Sequence, residues 1–127
     1  MKKALSVKRL SRSFGFAFKG FKKSFKEESN MQVHVVMAIL VIICGFLFKV
    51  SSLEWIVLLF AIGIVIGAEL LNTAIENLVD LVTLEKNEQA ALIKDVSAAF
   101  VMILAFVAAI IGLIIFVPKF IAFLEVI

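Results

Sequence analysis

The sequence contains no tyrosine and only one residue each of cysteine, proline, histidine and tryptophan among its 127 residues. The single cysteine, Cys44, cannot form a disulfide within the chain and indicates little about the redox compartment. One cysteine and one histidine also provide no cluster of ligands that suits zinc. The familiar phosphate-binding patterns G-x-x-x-x-G-K-[ST] and G-x-G-x-x-G are absent as well. A nucleotide site in this chain therefore needs an unfamiliar design.

Charged residues are absent from three long stretches, residues 33–48, 55–68 and 96–117. The chain is 63% hydrophobic and its mean hydropathy is +1.13, both well above the values of soluble domains. A membrane-spanning helix needs about 20 mostly apolar residues. The third stretch meets that length alone and stops at Pro118, and the first two meet it with their polar ends. We predict one integral membrane domain over residues 1–127 with three spanning helices, at about 31–49, 54–82 and 92–117.

Basic residues concentrate at the N-terminus, where nine of the 13 lysines and arginines lie within residues 1–26. Lys8, Arg9 and Arg12 interrupt the start before any apolar segment of a signal peptide can form, so we expect none. Apolar residues recur at helical spacing in the same region, at Val7, Leu10, Phe14, Phe18, Phe21 and Phe25. This pattern predicts an amphipathic helix over about residues 5–27 that lies on an anionic membrane surface. Nucleic-acid binding is the disfavoured alternative.

The charge distribution also predicts the orientation of the chain. Basic segments stay on the cytoplasmic side, which places the N-terminus in the cytoplasm. With three spans, the loop after the second helix is cytoplasmic too. We therefore expect a multi-pass protein of the plasma membrane, with the polar end of its second helix facing the cytoplasm.

A row of polar side chains follows the second apolar stretch, in the segment AELLNTAIENLVDLVT. At about 100° per residue, one helix face carries Glu69, Asn72, Thr73, Glu76 and Asp80. A carboxylate inside a span is costly and usually faces protein or a wet cavity. Stacked like charges repel, and a bound Mg²⁺ relieves that repulsion through oxygen ligands. The plainer alternative is a helix end whose polar face is simply solvated.

Further polar residues lie where the other helices meet the membrane surface. Lys94 and Asp95 begin the third span, and Lys94 suits either a phosphate contact or an interfacial lysine. Glu28 precedes the first span, where an anion also complements a helix N-terminus. His34 suits a ligand or a structural role. Phosphoryl transfer needs mainly positioning, metal and charge neutralisation, so these residues are compatible with a kinase.

At this point the sequence resembles a known family. The segment ELLNTAIENLVDL, the later pair Lys94-Asp95, the FAFKG segment and Glu28 closely resemble the small prokaryotic membrane kinases, the diacylglycerol and undecaprenol kinase family. The resemblance implies an all-α homotrimer that uses MgATP to phosphorylate a lipid hydroxyl. It places the general base at Glu69, the Mg²⁺ ligands at Glu28 and Glu76, and the phosphate contacts at Lys94 and Asp95.

The resemblance also implies a second set of residues around that site. Supporting polar positions fall on Asn72 and Asp80, and further nucleotide-side positions on Arg9 and Glu85. We expect contacts with the lipid substrate at Arg9, Phe18, Asn30, His34 and Glu69.

Several departures indicate which branch of the family the chain resembles. Phe16 and Ala17 stand where the diacylglycerol kinase branch has a tyrosine and a serine, and His34 stands where it has an acidic residue. The N-x-Q-x-H lead-in and the segments LEWI and GLIIFVPK resemble the Gram-positive undecaprenol kinase branch. We expect phosphorylation of undecaprenol. A diacylglycerol kinase is the alternative, and a membrane scaffold or cation channel is the non-enzymatic one.

Overall fold

Four α-helices make up the fold in a computed structural model, which describes residues 6–127. The helices are α1 (Val7–Glu27), α2 (Ser29–Leu47), α3 (Ser52–Val82) and α4 (Glu88–Val126). Residue 5, where the sequence analysis began the first helix, lies outside the described residues. A single residue, Glu28, separates α1 from α2 and has extended backbone angles (φ −111°, ψ 113°). The first two helices are therefore joined by a sharp break.

Helix α1 is amphipathic and lies mostly open to its surroundings. Phe14 and Phe18 on its apolar face are 70% and 69% exposed. Ser24 is the residue of α1 that is buried. An exposed aromatic face on a basic helix is typical of a helix that lies in a membrane interface.

Helices α2, α3 and α4 are each long and apolar enough to cross a membrane. At about 1.5 Å per residue they exceed or approach the 30 Å of a hydrocarbon layer. The most extensive packing is between α3 and α4, and α1 contacts both α2 and α3. The prediction of an all-helical fold, with three spanning helices after an amphipathic one, is confirmed.

Polar caps and a tight turn define where the spanning helices start and end. Ser51 and Glu54 form a capping box at the start of α3, with Glu54 N donating to Ser51 Oγ at 3.2 Å. Asn87 Oδ1 accepts from Gln89 N at 2.8 Å at the start of α4. Lys49 closes the end of α2 with a positive φ of 50°. These signals place the breaks between apolar stretches in short polar loops.

The best-packed part of the bundle lies at the end that holds the α2–α3 turn, which we call the loop end. Val50, Leu58 and Ile115 form its buried cluster, and Trp55 packs against them. The indole of Trp55 occupies the space that a Cβ at Gly45 would take, so glycine permits this close approach. We call the opposite end, where α1 meets the bundle, the polar end.

The sequence predicted a third helix that ends before Pro118. Helix α4 instead continues through Pro118 to Val126. A proline removes one backbone donor and usually ends or kinks a helix. Here contacts at the loop end hold the continuation in place. Lys119 Nζ lies 3.1 Å from Glu54 Oε1. The ring of Phe48 packs near three rings of α4, those of Phe116, Phe120 and Phe123.

Candidate active site

The polar row on α3 lies at the polar end of the bundle and grows more exposed along the helix. Glu69 is 2% exposed and Asn72 is 8% exposed. Glu76 is half-buried and Asp80 is exposed. The row therefore runs from a buried carboxylate to a solvent-facing one, instead of forming a uniformly solvated helix face.

Glu69 is the buried acid at the centre of a charged group. Glu28, His34 and Glu76 are close enough to interact with it electrostatically. Beside it on the row, Asn72 Oδ1 is buried without a hydrogen-bond partner among the described residues. A buried acceptor without a donor is unfavourable by about 1–3 kcal/mol. An incoming hydroxyl or cation would therefore find one unpaired acceptor next to the buried acid.

Glu28 adds a second carboxylate group at the break between α1 and α2. Burial raises the pKa of Glu28 above its usual value, and repulsion from Glu76 and Glu27 raises this pKa further. Among residues 6–127, no three His, Cys, Asp or Glu side chains form a cluster that would hold a metal by themselves. Mg²⁺ commonly uses only one or two carboxylates, together with phosphate and water oxygens. The proximity of Glu28 and Glu76 fits that smaller requirement.

A lysine–carboxylate pair closes the exposed end of the row. Lys94 Nζ lies 2.6 Å from Asp80 Oδ1, which joins α4 to α3. Asp95 follows on α4 and is exposed. Glu85 is also exposed, in the loop between these helices, and its backbone N donates to Thr83 Oγ1 at 3.2 Å. The structure therefore brings Lys94 to the polar row but leaves Asp95 and Glu85 at the surface.

An apolar groove of about 540 Å³ runs between α2, α3 and α4. Among the described residues that line it, all are apolar except His34, which is half-buried. Val65 and Ile66 also line the groove, one helical turn before Glu69. The groove thus leads from the apolar middle of the bundle toward the buried acid.

The other sequence-predicted lipid contacts are more dispersed. Asn30 is exposed at the start of α2, and Phe18 is exposed on α1. Arg9 is exposed and lines a shallow cleft with Ser6, Lys8 and Arg12 near the start of α1. The single chain does not bring Arg9 into the group around Glu69.

Comparison with known proteins identifies the family. The sequence model of the prokaryotic diacylglycerol kinase family matches residues 15–116 of the chain. The chain belongs to the prokaryotic diacylglycerol kinase family. It is 42% identical over 113 residues, 89% of this chain and 92% of the relative, to an undecaprenol kinase of Bacillus subtilis. It is 30% identical over 103 residues to a diacylglycerol kinase of Haemophilus influenzae, covering 81% of this chain and 87% of the relative.

A diacylglycerol kinase of Escherichia coli is 28% identical over 102 residues, covering 80% of this chain and 84% of the relative. As a member of this family, the protein is an enzyme, namely a membrane-bound lipid kinase. A kinase takes its phosphoryl group from a nucleotide, so the site must bring a nucleotide and a lipid together. The scaffold and channel alternatives are set aside because the relatives are kinases.

The distance of Glu69 from the loop end can be compared with the thickness of a hydrocarbon layer, about 30 Å. At about 1.5 Å per residue, Glu69 lies about 22 Å along α3 from Glu54, which pairs with Lys119, and Glu76 lies about 33 Å from it. A layer that began at Glu54 would therefore contain Glu69 and leave Glu76 near its opposite edge.

Two polar residues that contact each other were missed as a pair by the sequence analysis. Ser24 and Thr73 lie with their hydroxyl oxygens 3.1 Å apart, which joins α1 to the polar row. The signal was present in the sequence, since Ser24 interrupts the apolar face between Phe21 and Phe25. A small polar residue in an apolar face often marks a packed contact.

Proposed function

We propose that this kinase transfers the γ-phosphoryl group of MgATP to the hydroxyl of undecaprenol and so makes undecaprenyl phosphate. The observation that carries the proposal is Glu69, a carboxyl group 2% exposed beside the unpaired Oδ1 of Asn72. The likeness to the undecaprenol kinase of Bacillus subtilis, 42% identical over 89% of this chain, supports this acceptor. The product is the lipid carrier that delivers cell-envelope glycans.

Glu69 acts as the general base in this proposal. Its carboxylate accepts the hydroxyl proton as the lipid oxygen bonds to the γ-phosphorus. The bond between the γ-phosphorus and the β–γ bridging oxygen breaks, and ADP leaves with that oxygen. Asn72 lies beside Glu69 on the same helix face, where its side-chain N–H donates to the oxygen of the arriving hydroxyl and leaves the hydroxyl hydrogen for Glu69. Burial excludes water, which would otherwise compete with the lipid as the acceptor.

Glu28 and Glu76 are the residues that would hold the Mg²⁺ of the nucleotide. Burial raises the pKa of Glu28, and repulsion from Glu76 raises this pKa further. A divalent cation held by these residues would relieve that repulsion, which supports this role. When bound, the ion neutralises charge on the transferring phosphoryl group. Glu76 lies nearer the aqueous surface than Glu69, on the side from which a nucleotide arrives.

Lys94 and Asp95 contact the nucleotide phosphates at the same end of the bundle. Asp80 holds the Lys94 ammonium at 2.6 Å, where the positive charge lies beside the polar row. Arg9 and Glu85 complete the nucleotide side. Lys94 is suited to the phosphates because an ammonium group acts on them as a compact point charge.

The acceptor approaches from the membrane, along α1 and α2. Its hydroxyl reaches Glu69 past Asn30 and His34, and the exposed ring of Phe18 contacts its chain near the surface. The groove that leads to His34 is apolar, which suits a hydrocarbon chain without ester groups. Burying an unpaired ester carbonyl there would cost about 1–3 kcal/mol. This difference favours a polyprenol over diacylglycerol.

We propose further that the kinase is a homotrimer with its polar end in the cytoplasm. A single chain leaves 9941 Å² of surface, against about 6,700 Å² expected for a compact soluble protein of its mass. Lipids and neighbouring copies would cover this excess. The nine basic residues before Glu27 support a cytoplasmic N-terminus, where ATP is present.

The test is ATP turnover by the purified protein in mixed micelles. Undecaprenol and diacylglycerol are supplied at matched surface concentrations, and the lipid product is quantified. We expect the higher kcat/KM for undecaprenol. A clear preference for diacylglycerol would reject the proposed acceptor and keep the family assignment, whereas turnover with neither lipid would reject both acceptors.

A further inference from the structure

The surface helix α1 is attached to the polar row through one buried hydroxyl. Ser24 is 4% exposed, although the residues around it on α1 are exposed or half-buried. Its Oγ lies 3.1 Å from Thr73 Oγ1 on α3. Thr73 lies one helical turn after Glu69 and shares its face. The contact between α1 and α3 is therefore made beside the buried acid.

The direction of the hydrogen bonds follows from the number of hydrogens available. Thr73 Oγ1 donates to the backbone oxygen of Glu69 at 3.1 Å, which uses its single hydroxyl hydrogen. Ser24 Oγ must then be the donor in the contact with Thr73. The result is a directed chain from the Ser24 hydroxyl through the Thr73 hydroxyl to the Glu69 carbonyl. Such chains strengthen each member by mutual polarisation.

We infer that Ser24 and Thr73 are positioning residues for phosphoryl transfer, acting through the backbone of Glu69. The inference rests on the proposed role of Glu69 as the proton acceptor. A second bond on the same turn fixes the row further, since Asn77 Nδ2 donates to the backbone oxygen of Thr73 at 2.9 Å. The surface helix and the acid are thus held in one arrangement by side chains outside the proposed set of substrate contacts.

The position of this chain predicts which kinetic constant it affects. A displacement of a reacting group by about 1 Å can lower a rate by about 100-fold. The chain of hydrogen bonds ends at the Glu69 carbonyl. Glu76 and Lys94 lie at the nucleotide end of the site, with Glu76 about 10 Å further along α3. Loss of the hydroxyls should therefore lower kcat with the lipid and leave the KM for ATP unchanged. A general loss of folding would also lower the apparent kcat, so turnover is expressed per mole of folded protein.

The experiment compares substitutions that remove or keep the hydroxyls, in the full-length protein in lipid micelles. Thr73→Val should lower kcat by about tenfold with the KM for ATP within twofold of wild type. Thr73→Ser keeps the hydroxyl and should stay within about threefold of wild type. Ser24→Ala should show a smaller loss of kcat. The double variant should be no slower than Thr73→Val, since both positions act in one chain. Ser11→Ala, which removes an exposed hydroxyl from the same helix, is the control.

Two further outcomes separate this inference from the proposed role of the acid. On a Glu69→Gln background, Thr73→Val should cause no additional loss of the residual turnover. If Glu69→Gln is inactive but Thr73→Val and Ser24→Ala are as fast as wild type, the positioning role is refuted. Strictly additive losses in the double variant would refute it as well. If Glu69→Gln keeps full activity, the proposed base is wrong, whatever the hydroxyl variants show.

Discussion

The two glutamates on the polar row provide the sharpest test of the proposed site. Seven residues separate Glu69 from Glu76, which is about 10 Å along a helix. Ligands of one Mg²⁺ lie at about 2.1 Å from the ion, so these two positions do not suit joint coordination of one ion. Their surroundings differ too, because Glu69 is 2% exposed and Glu76 is half-buried. Similar residues on one face should therefore have different functions.

Replacing each glutamate with glutamine keeps its shape and removes its charge. Glu69→Gln should lower kcat by about 10²–10⁴-fold, the usual contribution of a general base, while MgATP still binds with its wild-type Kd. Glu76→Gln should weaken MgATP binding, and added Mg²⁺ should restore part of the activity. Glu125→Gln, at the loop end of α4, is the matched control and should change neither property.

Isothermal calorimetry in detergent measures MgATP binding, and lipid phosphorylation measures turnover. If Glu69→Gln abolished nucleotide binding while Glu76→Gln bound MgATP normally, the two assignments would be reversed. If both variants lost binding equally, a shared metal site would replace the proposed division of function between them.

Three further predictions follow from other parts of the fold. Replacing Phe18 and Phe21 with serine should raise the KM for the lipid and leave that for ATP unchanged; a rise for ATP alone would refute this. Because the pKa of Glu28 is raised, this carboxylate should take up a proton, and Mg²⁺ binding should weaken, at a higher pH than for an ordinary glutamate. Glu28→Gln should abolish that pH dependence in calorimetry. Gly45→Ala should destabilise the protein by about 1–3 kcal/mol through overpacking, measured by thermal unfolding, whereas Gly63→Ala meets no neighbour and should not.

The polar row was predictable because it depends only on the period of one helix. Residues three, four and seven positions apart share a face, so Glu69, Asn72 and Glu76 could be grouped from the sequence. The three apolar helices were predictable from the length and composition of single stretches of sequence. These features are local, and no contact between distant segments is needed to recognise them.

Contacts between helices could not be predicted in the same way. Lys94 pairs with Asp80 at 2.6 Å across 14 residues of sequence, and Ser24 meets Thr73 across 49. Such pairs depend on how the helices are rotated about their axes, which side-chain packing decides. The continuation of α4 past Pro118 was missed because proline was judged by its local effect, whereas packing at the loop end holds the helix together.

The one-residue joint at Glu28 restricts where this chain can change its length. One residue inserted in α1 between Ser24 and Glu28 would turn Ser24 by about 100° about the helix axis and carry its hydroxyl away from Thr73. The loop between α3 and α4, at residues 83–87, is less restricted away from Glu85, because loop tips commonly accept insertions. Natural or engineered variation in length should therefore concentrate in that loop, while the spacing on either side of Glu28 stays constant.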